Sequence, residues 1–167
     1  MSNDQNTWRA VCLPPPDPAA DEGFMREALA EAKIAGGMDE VPIGAVAVRD
    51  GAILARAHNT RERDQCATHH AEILAIEECC RALGGWRLPG VTLYVTVEPC
   101  PRCAGAILNA RIPRVVFGTP DVRFGAFGSR VDLNASAMNH TAAVTSGVLA
   151  DECRAVMSDY FRSKRKP

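Results

Sequence analysis

A β-branched run, Val91 to Val97, leads straight into Pro99-Cys100-Pro101-Arg102-Cys103. This juncture limits the fold more than any other segment. The run reads as a strand, and proline is favoured at the first position of a helix. The chain must therefore turn from strand to helix with two cysteines at the turn. Three residues apart at a helix start, both sulfurs can face one side. The positive end of the helix favours thiolate, the form that binds zinc. The pair alone leaves three readings open: a metal half-site, a thioredoxin-like redox pair, or two incidental cysteines.

His70-Ala71-Glu72 narrows the choice. A helical pattern runs from about His70 to Leu83, with Ile73, Ile76, Cys80 and Leu83 on one face and Gly84-Gly85 as its stop. His70 thus stands at a second helix start. In adjacent βα units such starts lie at one end of the sheet, where open α/β sheets bind ligands. His70, Cys100 and Cys103 make three protein ligands, which suits a catalytic zinc that keeps its fourth position for water. Residues i and i+2 point about 200° apart on a regular helix. At a helix mouth, however, His70 can bind the metal while Glu72 reaches the bound water. There Glu72 is a proton shuttle. Its bland alternative is a first-turn acid that suits the helix dipole.

The remaining elements follow from the pattern. Residues 1–20 read as a flexible lead, because Pro14, Pro15, Pro16 and Pro18 argue against a helix. The folded domain is expected over 21–162, with a basic tail over 163–167. Phe24, Ala28 and Ala32, beside Met25 and Leu29, predict a helix from Asp21 to Ala35, stopped by Gly36-Gly37. Gly44–Arg49 and Ala52–Ala57 read as strands joined by an Asp50-Gly51 hairpin. A helix from Pro101 to about Ala110, strands near Arg114–Phe117 and Ala142–Thr145, and a last helix from Leu149 to Arg162 complete the chain. Strands alternating with helices predict an α/β layered domain, and the hairpin makes its sheet mixed.

Composition then excludes several classes. No apolar run approaches the roughly 18 residues of a membrane span, and the N-terminus lacks the pattern of a secretory signal. Seven cysteines without an export signal fit a reducing cytoplasm better than a disulfide framework. The formal net charge of −1 does not by itself announce a nucleic-acid binder. Arg162, Lys164, Arg165 and Lys166 nonetheless cluster at the C-terminal end. They can contact phosphates or simply suit the end of a helix.

The pattern H-x-E followed by P-C-x-x-C is the signature of zinc deaminases. The chain resembles the bacterial tRNA-specific adenosine deaminases, in the cytidine deaminase-like superfamily. The likeness covers about Phe24 to Arg162. It includes Val41–Val46, Asn59, His70-Ala71-Glu72, Thr92 through Cys103 to Ile112, and Arg114–Gly118. It continues through Asp121, Gly125-Ala126, Gly128-Ser129, Met138-Asn139-His140, Gly147–Cys153 and Ser158–Arg162.

The resemblance implies a three-layer α/β/α sandwich around a five-stranded mixed sheet, with one Zn2+ per subunit of a homodimer. It implies no nucleotide cofactor and no membrane. The activity it implies is hydrolytic conversion of the wobble adenosine (position 34) of a tRNA anticodon stem-loop to inosine. Zinc-bound hydroxide would attack, with Glu72 moving the proton. Asn59 matches a base-binding asparagine, and the Ala71 backbone is expected at the base edge. Asp121 matches a position near the nucleotide preceding the target. Phe161 and Arg162 match a helix segment lining the anticodon-loop site. Each has a plainer alternative: a turn cap for Asn59, a turn residue for Asp121, core for Phe161. His69 and Arg102 depart from the family pattern, and His69 is expected to turn outward. The rival readings are a free nucleobase or nucleotide deaminase of guanine, cytosine or dCMP type, and a zinc module that binds RNA without turnover.

Overall fold

Pro18 opens a helix that its presence was expected to forbid. The computed structural model describes residues 13, 15–136 and 139–165. Cys12, Met138, Lys166 and most of the proline-rich lead lie outside them. Helix α1 (Pro18–Gly37) begins three residues before Asp21. The fixed φ of proline suits the first helical position, where no N–H is needed. The Asp17 side chain caps the helix by accepting from the Ala19 and Ala20 N–H groups at 3.1 and 3.3 Å. Gly36 and Gly37 lie in the last turn, and the chain leaves α1 at Met38.

Strands β1 (Gly44–Arg49) and β2 (Ala52–His58) form the expected hairpin. Asp50 and Gly51 both take positive φ, 52° and 74°, as a type I′ turn requires. A short helix α2 (Arg61–Asp64), which no pattern foretold, precedes α3 (Ala71–Leu83). Then come β3 (Thr92–Val97), α4 (Pro101–Asn109), β4 (Arg114–Thr119), β5 (Ala143–Ser146) and α5 (Ala150–Lys164). Helix α5 runs through Lys164, so the tail expected from residue 163 begins inside it. There Arg162 pairs with Asp159 and Lys164 with Asp39. No helix among the described residues is long and apolar enough to cross a membrane.

The sheet has five strands in the order β2-β1-β3-β4-β5. β1 is antiparallel to both β2 and β3, whereas β3, β4 and β5 are parallel. Alternation along β1 divides the core. Val46 and Val48 meet Met25, Ala28 and Leu29 of α1, with Cys153 of α5 in the same cluster. Ala45 and Ala47 share the opposite cluster with Ala71, Ala75 and Cys79 of α3 and Ile107 and Leu108 of α4. Three layers result. The buried stripe of α3 is not the predicted one. It runs through Ala71, Glu72, Ala75, Ile76 and Cys79, while Ile73, Cys80 and Leu83 are only half-buried. Small residues on α3 face Ala45, Ala47, Ala55 and Ala57 on the hairpin, so burial follows close approach rather than side-chain size. Close approach also governs the α1 face. A Cβ on Gly44 would lie 2.0 Å from the Ala28 carbonyl oxygen.

One ion pair is buried in the α1 layer. Arg114 on β4 grips Asp21 with both Nη atoms, at 2.9 and 2.7 Å. The Tyr94 hydroxyl donates to the same carboxylate at 2.8 Å, and Arg114 also reaches Thr145 Oγ1 at 3.2 Å. Burial pushes the Asp21 carboxyl up, but the hydrogen bonds from Arg114 and Tyr94 and the Arg114 charge outweigh it. Its pKa therefore falls below the ordinary carboxylate value.

Candidate metal centre and active site

Strands β2 and β3 run in the same direction, since each is antiparallel to β1. Their C-terminal ends deliver α3 and α4 to one edge of the sheet. His70 is the N-cap of α3 and Cys100 the N-cap of α4, both with extended backbone (ψ 154° and 168°). Neither helix has a side-chain cap hydrogen bond from its N-cap residue. Cys103 follows in the first turn of α4 and is fully buried.

The three ligating side chains converge. His70 Nδ1 lies 3.8 Å from Cys100 Sγ and 3.6 Å from Cys103 Sγ. All three ligand atoms fall within 4.8 Å of one another. A tetrahedral zinc with Zn–N of about 2.0 Å and Zn–S of about 2.3 Å needs an N···S edge of about 3.5 Å. The donor set and its spacing fit that ion. The thiol electrostatics agree. Hydrogen bonding from the Cys103 thiol, helped by His70, pulls Cys100 down to about 3. The same bond and burial push Cys103 up. The pair thus holds one thiolate readily, and a cation is what favours the second.

Glu72 lies in the first turn of α3, and its side chain is buried. Its Oε2 has no hydrogen-bond partner among the described residues. Burial pushes its pKa up; its own backbone N–H, His70 and Cys103 oppose the shift only in part. A buried carboxylate oxygen beside a His-Cys-Cys cluster needs a proton or a polar partner there. A water at the fourth position of the metal meets that need.

Asn59, directly after β2, is buried and fixes the start of α3. Its Oδ1 accepts from the Ala71 N–H at 2.9 Å. Of the Ala71 backbone expected at the base edge, the N–H is held by Asn59, and the Asn59 amide NH2 is left without a protein partner among the described residues. His69 points away from the ligands. Its Nδ1 meets Asp64 Oδ2 at 2.8 Å, and that bond raises its pKa. Arg102 is exposed but held in place. Its Nη1 donates to the Ala67 carbonyl at 2.7 Å and ties α4 to the segment before His70.

Asp121 serves its own loop. Its Oδ1 accepts the Arg123 and Phe124 N–H groups at 2.9 and 3.2 Å. Phe161 and Arg162 are not brought to the ligand cluster. Helix α5 packs on β3, β4 and α1, not on α3 or α4. Its last turns reach the site's surroundings indirectly. Tyr160 donates to the Asp39 carbonyl at 3.0 Å, and the neighbouring Glu40 accepts the Glu62 and Arg63 N–H groups of α2 at 3.1 and 2.7 Å.

Sequence reasoning passed over Glu98. It is buried between the end of β3 and Cys100. Oε1 accepts from the Phe127 and Ser129 N–H groups at 3.0 and 3.1 Å; Oε2 accepts from the Asp121 N–H at 3.1 Å and from the Ser129 hydroxyl. A Cβ on Gly125 would sit 2.4 Å from that carboxylate, so glycine is required there. Glu98 thus anchors the loop after β4 to the strand that carries the cysteines. The one available signal was an acid next to the cysteine motif, with its partners more than twenty residues away. Glu98→Gln removes an acceptor and leaves buried N–H groups unpaired, at a cost of about 1–3 kcal/mol. The expected result is lower stability with unchanged metal content. Hydrogen exchange should show faster exchange at the Asp121, Phe127 and Ser129 amides.

Comparison with known proteins agrees with this geometry. The MafB19-like deaminase family matches residues 19–165. A tRNA-specific adenosine deaminase of Bacillus subtilis is 53% identical over 147 residues, covering 87% of this chain and 91% of the relative. One from Streptococcus pyogenes serotype M1 is 44% identical over 144 residues, covering 86% and 84%. A solved structure from studies of A-to-I editing by tRNA:A34 deaminases at the wobble position of transfer RNA superposes with a TM-score of 0.75. It is 44% identical and covers 80% of this chain and 98% of that one. The sheet order of this chain, its His-Cys-Cys cluster beside a buried glutamate and these likenesses agree: the chain belongs to the tRNA-specific adenosine deaminase family.

Proposed function

We propose that this enzyme converts the wobble adenosine, position 34, of a tRNA anticodon to inosine, releasing ammonia. The observation that carries hydrolytic deamination is the unpartnered Glu72 Oε2 buried beside His70, Cys100 and Cys103. The substrate rests on what the relatives are named to act on. One zinc ion per subunit, held by those three residues, would supply the Lewis acid that makes water a nucleophile at neutral pH. Glu72 takes one proton from the attacking water and gives it to the ring nitrogen, then takes the second from the new C6 hydroxyl and gives it to the amine, which leaves as ammonia when the C–N bond breaks. Its raised pKa suits both halves of that transfer. The Asn59 amide NH2 donates to the base and positions its amine-bearing carbon, while Asn59 Oδ1 keeps α3 and Glu72 in register.

An anticodon loop presents bases that can be splayed out at lower cost than those of a duplex. The working form is a homodimer in the cytoplasm. The described cysteines are all free thiols, in keeping with a reducing compartment. Asp121, Phe161 and Arg162 belong to the outer RNA contact. The deciding experiment presents the zinc-loaded protein with an anticodon stem-loop and, separately, with adenine, guanine, cytosine and dCMP. Inosine at position 34 alone is expected, with about one zinc per chain by metal analysis. Turnover of the free compounds only would overturn the tRNA reading in favour of a nucleobase or nucleotide deaminase.

A further inference from the structure

Strand β5 leaves the sheet with an open edge. It stands last in the strand order and, among the described elements, packs on β4 alone. The Ala143 and Gly147 N–H groups donate to the Pro113 and Phe117 carbonyls at 2.8 and 3.0 Å. Ala143, Thr145 and Gly147 therefore turn their backbone groups toward β4, and the alternate residues Val144 and Ser146 turn theirs outward. Both are exposed, Val144 to 38%. Exposed edges are usually guarded by charge, proline or a bulge. The sequence Ala143-Val144-Thr145-Ser146 carries no charge and no proline, and its pairing with β4 is unbroken.

The chain ahead of α1 starts beside this edge. One Nη atom of Arg114 bonds Asp21, in the first turn of α1, at 2.7 Å and Thr145 of β5 at 3.2 Å. Arg114 opens β4, so α1 begins where the parallel strands begin. A segment that lies along β5 and ends there runs antiparallel to it. A parallel strand would need a much longer connection. Pro14–Asp17 form the link to α1, and four residues of polyproline helix span about 12 Å. Leu13 is half-buried although residues 15–19 are exposed, so the chain is back against the protein ahead of its prolines.

Composition selects the segment. Thr7-Trp8-Arg9-Ala10-Val11-Cys12-Leu13 holds aromatic and β-branched residues without proline or glycine, and Arg9 is its one charge. A second copy of the chain is a poorer occupant. β5 has only four residues, and two such edges would bury far less than the roughly 1,000 Å² of a stable interface. A tethered segment needs less area, because its short link keeps its local concentration high.

We propose that residues 7–13 add a sixth strand to the sheet, antiparallel to β5, and cover its open edge. The prolines end the pairing at Leu13, since they lack the N–H that a ladder needs. The lead is then part of the fold of this chain, whatever its substrate.

Amide exchange, followed by NMR on the full-length, zinc-loaded protein and on the same chain lacking residues 2–12, tests this. The Val144 and Ser146 amides should exchange about tenfold or more slower in the full chain. The Ala143 and Thr145 amides, already turned to β4, should change much less. Ala10→Pro and Val11→Pro make the same test in the full chain. Successive N–H groups on a strand point to opposite sides, so one of these prolines should expose the two β5 amides and the other should leave them protected. Fast exchange at Val144 and Ser146 in the full chain, equal to that in the shortened one, overturns the sixth strand. Slow exchange that survives the shortening and both prolines also overturns it, and gives the edge to a second copy of the chain.

Discussion

Glu72→Gln lowers deamination of the stem-loop by about 10²–10⁴-fold, the range for a positioned general acid–base, and leaves zinc bound. The size follows from the absence of a substitute. Among the described residues Glu72 is the one carboxylate buried against the ligand cluster; Glu98, the acid nearest in sequence to the cysteines, gives both its oxygens to the loop after β4. Glutamine keeps the shape and a hydrogen-bonding end but cannot accept and return a proton. Zinc content should not change, because Glu72 stands outside the His70, Cys100 and Cys103 set. Single-turnover assays with metal analysis of the same sample check both halves. Unchanged turnover would refute the proton transfer. Loss of zinc along with turnover would move Glu72 from shuttle to ligand support. A protein that bound RNA through zinc without turnover would need no such residue.

Asp21→Asn destabilises the fold by about 3–5 kcal/mol, the cost of leaving one half of a buried ion pair alone. Asp21 and Arg114 are only 3% and 7% exposed, so water cannot take over for the missing charge. The pair spans α1 and β4, with Tyr94 of β3 on the same carboxylate, so its loss reaches three elements. Urea unfolding of zinc-loaded protein at fixed concentration measures it. The pH dependence has a definite sign. The folded pKa of Asp21 is depressed, so its contribution is complete above the unfolded carboxyl pKa of about 3.9. It is lost as pH falls through the lower folded value. The gap between parent and variant should therefore be full at neutral pH and shrink below about pH 4. A gap under 1 kcal/mol at neutral pH would mean that Arg114 finds other partners, with Thr145 the first to test.

The legible parts of the fold were those whose signal is local. Asp50-Gly51 marked the hairpin because two adjacent residues must take positive φ there. Pro101 marked α4 because the cysteine motif made a helix start sensible. Pro18 was read as a breaker, although a proline is the same residue at a helix start as in a lead; only the Asp17 cap tells them apart. The face of α3 was misplaced because the reading weighted large side chains, while alanines facing an alanine-rich hairpin bury more deeply. Helix α2 is too short for periodicity to register.

The site divides in the same way. His70, Glu72, Cys100 and Cys103 were readable because chemistry demands those residue types at those spacings. Glu98, and the hold of Asn59 on the Ala71 N–H, depend on partners 12 to 31 residues away. No local pattern records those.

His70 and Cys100 occupy the cap positions of α3 and α4, and neither caps its helix with a side-chain hydrogen bond. An ion held by those residues would also join the two helix starts and make binding and folding linked equilibria. The enzyme's melting temperature should then follow free zinc. A hundredfold excess of metal over its dissociation constant adds about 2.7 kcal/mol to the folded state. Cells that ration zinc would thin the population of folded enzyme as well as its activity, and both through the same two residues.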